Sequence, residues 1–234
     1  MTDRSRIETR RRHVGADHDA QRSGWRQRAL GLATRQPIAP EWAARCLSRF
    51  VDERTVIVSE AVSNNPALWH HLELDSPGTY YQSLGSGLGW GLGAAVGAKL
   101  AAPAKTIICV VGDGSWTFGS PTVAYWVAER YRTPFLTVMF NNQGYAATKE
   151  AIRSVAPAGY AKTTGSYPAC DLPTPPQRYA RLADAMGLWA RTVDDPTALE
   201  ATLREALDEV RNGRSALVDI RISALPQYEE LPDE

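Results

Sequence analysis

No run of about 18 apolar residues occurs anywhere in the 234 residues, so no segment is predicted to cross a bilayer. Cysteine is scarce: Cys46, Cys109 and Cys170 lie far apart, with no CxxC pair. That excludes a disulfide framework and a structural zinc site. Net charge is also lacking, with 26 basic against 26 acidic residues, so the chain as a whole has no nucleic-acid footprint. The opening stretch MTDRSRIETRRRHV has no apolar h-region, which predicts no secretory leader and a cytoplasmic location. Two phosphate fingerprints are missing as well. Glycines at 85, 87, 89, 91 and 93 alternate strictly and cannot supply GxGxxG, and Gly97 is followed by Ala98 before Lys99, so no GxxxxGK[ST] exists. A nucleotide-binding α/β domain is correspondingly disfavoured.

What is present is an alternation of strand and helix signals from residue 40 onward. Residues 1–35 stand apart, with nine arginines, four acids and few aliphatics. Their polar composition predicts a basic flexible arm or linker, with docking on an acidic partner as the alternative. Trp25 implies that the end of this segment packs on something. Beyond it, TVIVSE (55–60), TIICVVGD (106–113), PFLTVMFNN (134–142), LWARTV and SALVDIRIS read as strands, and TYYQSL as a short one. Between them, PEWAARCLSRF, PALWHHL, LGWGLGAAVGAKLAA, residues 119–131, QRYARLADAMG and TALEATLREALDEVRNG read as helices. In QRYARLADAMG, Tyr179, Leu182, Ala183 and Met186 are expected to face inward. Continuous β-branched strands separated by helices imply an α/β three-layer sandwich, a central parallel sheet flanked by helices. Residues 145–176, rich in Gly, Pro, Ser, Thr and Tyr, are too long for an idle connection and read as a site-covering segment.

Two strand ends carry the chemistry. VVGDGSW (110–116) ends an apolar run with an aspartate between Gly112 and Gly114, and MFNNQGY (139–145) ends another with two asparagines. Ligands in parallel sheets bind beyond the carboxyl ends of strands. Asp113 offers a carboxylate and Asn142 an amide oxygen, hard donors that suit Mg2+ or Ca2+. Two side chains do not fill an octahedron, so a backbone carbonyl, water or a ligand phosphate must complete it. Glycines around Asp113 allow a tight turn whose following amides face a phosphate. The bland reading is a GDG turn and an Asx turn. Finding both at strand ends in one α/β chain favours a metal that bridges a diphosphate to the protein.

GDG, then twenty-six residues, then NN resembles the thiamine diphosphate motif of thiamine-dependent enzymes. The stretch EAVSNNPALWHHLELDSPGTYYQSLGSGLGWGLGAAVGAKLAAP and the region DLPTPPQRYARLADAMGLWARTVDDPTALEATLREAL with SALVDIRI are similar to the benzoylformate decarboxylase and acetolactate synthase group. The resemblance covers about residues 22–234 and implies a thiamine diphosphate-binding fold over 36–234. It further implies that Asp113, Asn142 and the Gly144 carbonyl hold Mg2+. Gly112, Gly114 and Ser115 would lie against the diphosphate, and Tyr145 with Val62 and Ser63 would close over it. Leu88 would be the apolar wedge that bends the cofactor into a V. Ser86 would offer its backbone carbonyl to the aminopyrimidine, where the family often has glycine.

One requirement has no counterpart. In the family, a glutamate on a separate pyrimidine-binding domain protonates the aminopyrimidine ring, so no residue here is assigned a catalytic role. Glu60 is a substitute by position only, because it aligns with a family glutamate outside that role. His70 and His71 are expected as solvated or packing histidines on a surface helix. Trp116, Tyr125 and Trp126 are expected as core or interface aromatics. The resemblance therefore implies a split enzyme: a thiamine diphosphate- and Mg2+-dependent decarboxylase or carboligase acting on a small 2-oxo acid. A second subunit, in a heterodimer or heterotetramer, would carry the pyrimidine-binding domain. The rival expectation is a non-catalytic cofactor-binding or structural subunit. Neither nucleic acid nor membrane is an expected partner.

Overall fold

The computed structural model describes residues 4–83, 85, 87–172 and 177–223. Six strands form one sheet: β1 (Thr55–Glu60), β2 (Tyr80–Gln82), β3 (Thr106–Gly112), β4 (Leu136–Asn141), β5 (Trp189–Val193) and β6 (Ala216–Arg221). Their order is β2-β1-β3-β4-β6-β5, and every pairing is parallel. Among the described residues ten α-helices accompany them: α1 (Arg4–Gly31), α2 (Pro40–Ser48), α3 (Asn65–His71), α4 (Trp90–Ala101), α5 (Asp113–Phe118), α6 (Pro121–Arg130), α7 (Ala146–Val155), α8 (Tyr160–Thr164), α9 (Tyr179–Ala185) and α10 (Leu199–Arg211).

Period-two alternation sorts each strand into two cores. Ile108 and Val110 of β3 join Val138, Phe140, Val218 and Ile220 against α2, α3 and α10, through Leu47, Leu68, Leu203 and Leu207. Ile107, Cys109 and Val111 point the other way, toward Leu92 and Val96 of α4, Tyr125 of α6 and Tyr179 of α9. The result is the expected three-layer α/β sandwich. The central strands β1, β3, β4 and β6 are buried along almost their whole length because helices cover both faces.

Chain order reverses between β1 and β3, since β2 lies outside β1 and β3 inside it. Such a reversal leaves a crevice beyond the carboxyl ends of the two strands, because their connections leave in opposite directions. Glu60 ends β1 and Gly112 ends β3, so both chains run into that crevice.

Several local expectations are corrected. The supposed arm is helical over 4–31, and its last turns dock on α3, where Trp25 stacks on His70 with ring centroids 4.0 Å apart. Arg22 and Arg26 reach Glu73 at 3.1 and 3.7 Å. Within the expected site-covering segment, residues 145–172 include α7 and α8, and residues 173–176 lie outside the described residues. Leu182 is exposed, unlike Tyr179 and Ala183, because α9 offers the sheet only a narrow stripe. The three cysteines are buried and free. No helix among the described residues is long and apolar enough to cross a membrane.

Candidate functional site

A cavity of about 620 Å³ opens at the reversal between β1 and β3. Its walls include Val62, Ser63, Leu88, Gly112, Asp113, Gly114, Ser115, Asn142, Gly144 and Tyr145. These come from four separate stretches of chain, and ten of the eleven residues singled out from sequence meet there. The eleventh, Ser86, lies outside the described residues.

Asp113 is the first residue of α5, directly after β3, and only 1% exposed. Its Oδ2 is buried with no hydrogen-bond partner. Burial lifts its carboxyl from 3.8 to about 6, against the pull of the backbone amides of Gly114, Asp113 and Gly144, and the buried Asp219 adds to the rise. A buried carboxylate oxygen without a donor is costly unless a cation takes it. The site therefore carries an unmet demand for positive charge.

The two asparagines divide their work. Asn141 is fully buried and its Nδ2 donates to Asp219 Oδ1 at 2.7 Å, while its Oδ1 accepts from the Gln143 amide at 3.1 Å. It belongs to the fold. Asn142 lines the cavity, and its Oδ1 accepts from the Gly144 amide at 3.2 Å. Gln143 between them holds φ at 61°, a left-handed value that turns the chain sharply. Among the described residues no three His, Cys, Asp or Glu side chains gather as a metal site. The donor set on offer is thus one carboxylate, one amide oxygen and backbone carbonyls, a hard set suited to Mg2+ completed by phosphate oxygens.

Close approach of backbone is enforced by Tyr145. Its ring lies over Gly114, where an added Cβ would come within 2.6 Å of ring Cδ1, and its hydroxyl donates to the Gly114 carbonyl at 3.5 Å. Ser115 Oγ donates to the Glu60 carbonyl at 3.3 Å, which ties β1 to α5 and leaves the Ser115 amide at a helix start. Opposite, Val62 holds φ at 46°. A β-branched residue in that region is strained, and such strain concentrates at binding sites.

Glu60, the substitute acid considered from position, is committed elsewhere. Its carboxylate accepts from the amides of Gly89, Trp90 and Gly91 at 2.5, 3.2 and 2.7 Å, capping α4 from the neighbouring strand. The negative charge also complements the positive end of the helix. Sequence reasoning missed this role, as it missed the Asn141–Asp219 bond, because the partners lie 29 to 31 and 78 residues apart. His70 is taken up by the stack on Trp25 and is absent from the cavity wall. His71 is buried, and that burial, with His70 and three arginines nearby, pushes it down to about 4. Trp116 and Tyr125 are core residues joined by a 3.1 Å hydrogen bond, whereas Trp126 is exposed.

Residues 61–220 match the family described as thiamine pyrophosphate enzyme, C-terminal TPP binding domain. The chain belongs to this family. It is 30% identical over 113 residues to benzoylformate decarboxylase of Pseudomonas aeruginosa, covering 48% of this chain and 21% of that protein. Against the acetolactate synthase isozyme 3 large subunit of Escherichia coli it is 29% identical over 188 residues, 80% of this chain and 31% of the relative. Among solved structures, the thiamine diphosphate-dependent 4-hydroxybenzoylformate decarboxylase of Rhodococcus jostii RHA1 superposes with a TM-score of 0.66 at 26% identity. That match covers 80% of this chain and 33% of the other. The TPP-binding domain described here thus spans a third or less of each of these relatives.

Proposed function

We propose that this chain holds thiamine diphosphate through Mg2+ and serves as one subunit of a heteromeric, cytoplasmic 2-oxo acid decarboxylase or carboligase. The observation that carries the reading is the buried, unpartnered Oδ2 of Asp113 at the switch point of the sheet. Asp113, Asn142 and the Gly144 carbonyl would ligate the metal. The amides following Asp113 would receive the diphosphate, and Tyr145 keeps Gly114 free of a side chain that would obstruct it. Leu88, half-buried in the cavity wall, would press against the organic part of the cofactor. When bound, thiamine diphosphate supplies the electron sink that loss of carbon dioxide from a 2-oxo acid, or acyl transfer to a second carbonyl, requires.

Support for a second subunit comes from the cavity's acids. Glu60 and Asp113 are the carboxylates among its described lining residues. One caps α4 and the other is the metal ligand, so neither is free to protonate an aminopyrimidine. A pyrimidine-binding domain on another polypeptide would bring that glutamate. Exposed Phe118, Val123 and Trp126, on α5 and α6 just beyond the site, offer apolar surface for it.

The test is 2-oxo acid turnover by the purified chain, alone and with a partner captured from the native host. No turnover alone and restored turnover with the partner are expected. Robust turnover by the chain alone would refute the split reading. Cofactor binding with no turnover under any pairing would favour a non-catalytic subunit, the reading to which the engaged Glu60 also lends itself.

A further inference from the structure

After the metal-ligand turn the chain makes a closed excursion from 145 to 171. Its ends are pinned together. Gly144 and Asp171 form an antiparallel bridge, the Tyr145 amide donates to the Cys170 carbonyl at 2.8 Å, and the Leu172 amide to the Gln143 carbonyl at 2.8 Å. On the way out, α7 presents Ala146, Ala147, Thr148 and Ala151 to the cavity, yet none of its residues is buried. Hydrophobic burial therefore does little to hold this wall in place.

Polar contacts do hold it. Lys149 and Arg153 are four residues apart, hence on one side of α7, and they straddle Tyr167. Their cationic groups lie 5.8 and 5.4 Å from its ring centroid, and Arg153 Nε donates to the Tyr167 hydroxyl at 2.7 Å. The Lys149 ammonium pairs with the Asp171 carboxylate. That ammonium also sits directly over the turn. A Cβ on Gly144 would lie 3.2 Å from Lys149 Nζ and 2.7 Å from the Cys170 carbonyl.

We propose that the Lys149–Asp171 pair is a clasp that closes the 145–171 segment and fixes Gly144 and α7 against the cavity. Both side chains are positioning residues for metal–diphosphate binding, a role that rests on the site reading under Proposed function. An exposed ion pair adds little to global stability. Across this bridge its effect falls on the turn that carries two of the three metal-ligating groups. The variants accordingly fold while the site loosens.

The test titrates Mg2+ into the full chain in the presence of a fixed excess of thiamine diphosphate, with calorimetric detection. Lys149→Met and Asp171→Asn are each expected to raise the half-saturating Mg2+ concentration roughly twofold to fivefold. The charge-swapped pair, Lys149→Asp with Asp171→Lys, and the conservative Lys149→Arg should return it to within about twofold of the wild type. In ligand-free protein, the single variants should speed amide exchange over 146–155 while leaving the denaturant midpoint unchanged. Equal half-saturation in all variants, or a charge-swapped protein as weak as the singles, would overturn the clasp. Failure of the wild type to bind would overturn the site reading and the positioning role with it. Unchanged exchange in the single variants would then overturn the clasp itself.

Discussion

Asp113 pays a folding cost that its ligand can refund. Its folded carboxyl, raised to about 6, binds more protons than the unfolded chain between pH 4 and 6. The stability it contributes is complete below about pH 4 and is lost as pH rises through 6. His71 runs the other way over nearly the same window. Held down to about 4, it contributes stability that is present above pH 6.5 and lost as pH falls toward 4. Each effect is on the order of 2–3 kcal/mol, so they largely offset each other. In Mg2+-free buffer, urea unfolding of Asp113→Asn should show stability falling on acidification from pH 6.5 to 4, relative to the wild type. His71→Gln should show the reverse. Parallel curves for both variants would contradict these environments. At Gly114, alanine would drive a methyl into the Tyr145 ring, and overpacking of this kind costs about 1–3 kcal/mol. Tyr145→Ala introduced alongside it should recover most of that loss in the same unfolding experiment. The meeting of Asp113, Gly114 and Asn142 at one cavity was legible in the sequence because each follows closely on a strand end. The duties of Glu60 and Asn141 were not, since only folding brings their partners near.

Elements were legible where burial dictates composition. The strand β3 is an unbroken apolar run from Ile107 to Val111 because helices cover both faces of the sheet, and α10 shows its stripe in Leu199, Leu203, Leu207 and Val210. Reading failed where an element lacks a buried face. The helix α1 is rich in arginine and has alanine and glutamate, which favour helix, but it has no apolar stripe and only Ala29 is buried. Likewise α7 and α8 bury nothing. The docked end of α1 rests on the Trp25–His70 stack, on contacts of Arg22 and Arg26 with Leu72 and Glu73 just after α3, and on packing against α2. Trp25→Ala should therefore cost about 0.5–1.5 kcal/mol and raise amide exchange over residues 22–31, with no change in Mg2+ affinity. Unaltered exchange there would show that the Trp25–His70 stack does not anchor the helix.

At the scale of the whole molecule, the sheet brings β1, β3 and β4 to one edge, and the loops beyond them wall a cavity that holds anchoring groups for a cofactor. Fold and family were both readable because the GDG and NN signals are local and their spacing spans one strand–helix–strand unit. Glu60, the acid that position offered for activating the cofactor, is held instead by the amides of Gly89, Trp90 and Gly91. Anchoring is the claim on which the rest depends. Its most direct measurement is calorimetric titration of thiamine diphosphate into the chain with Mg2+, with a chelator, and into Asp113→Ala. Saturable binding that needs Mg2+ and weakens by on the order of 100-fold or more in Asp113→Ala is expected, since removing a ligand should cost at least as much as disturbing its surroundings. Binding of equal strength in chelator, or in Asp113→Ala, would contradict it.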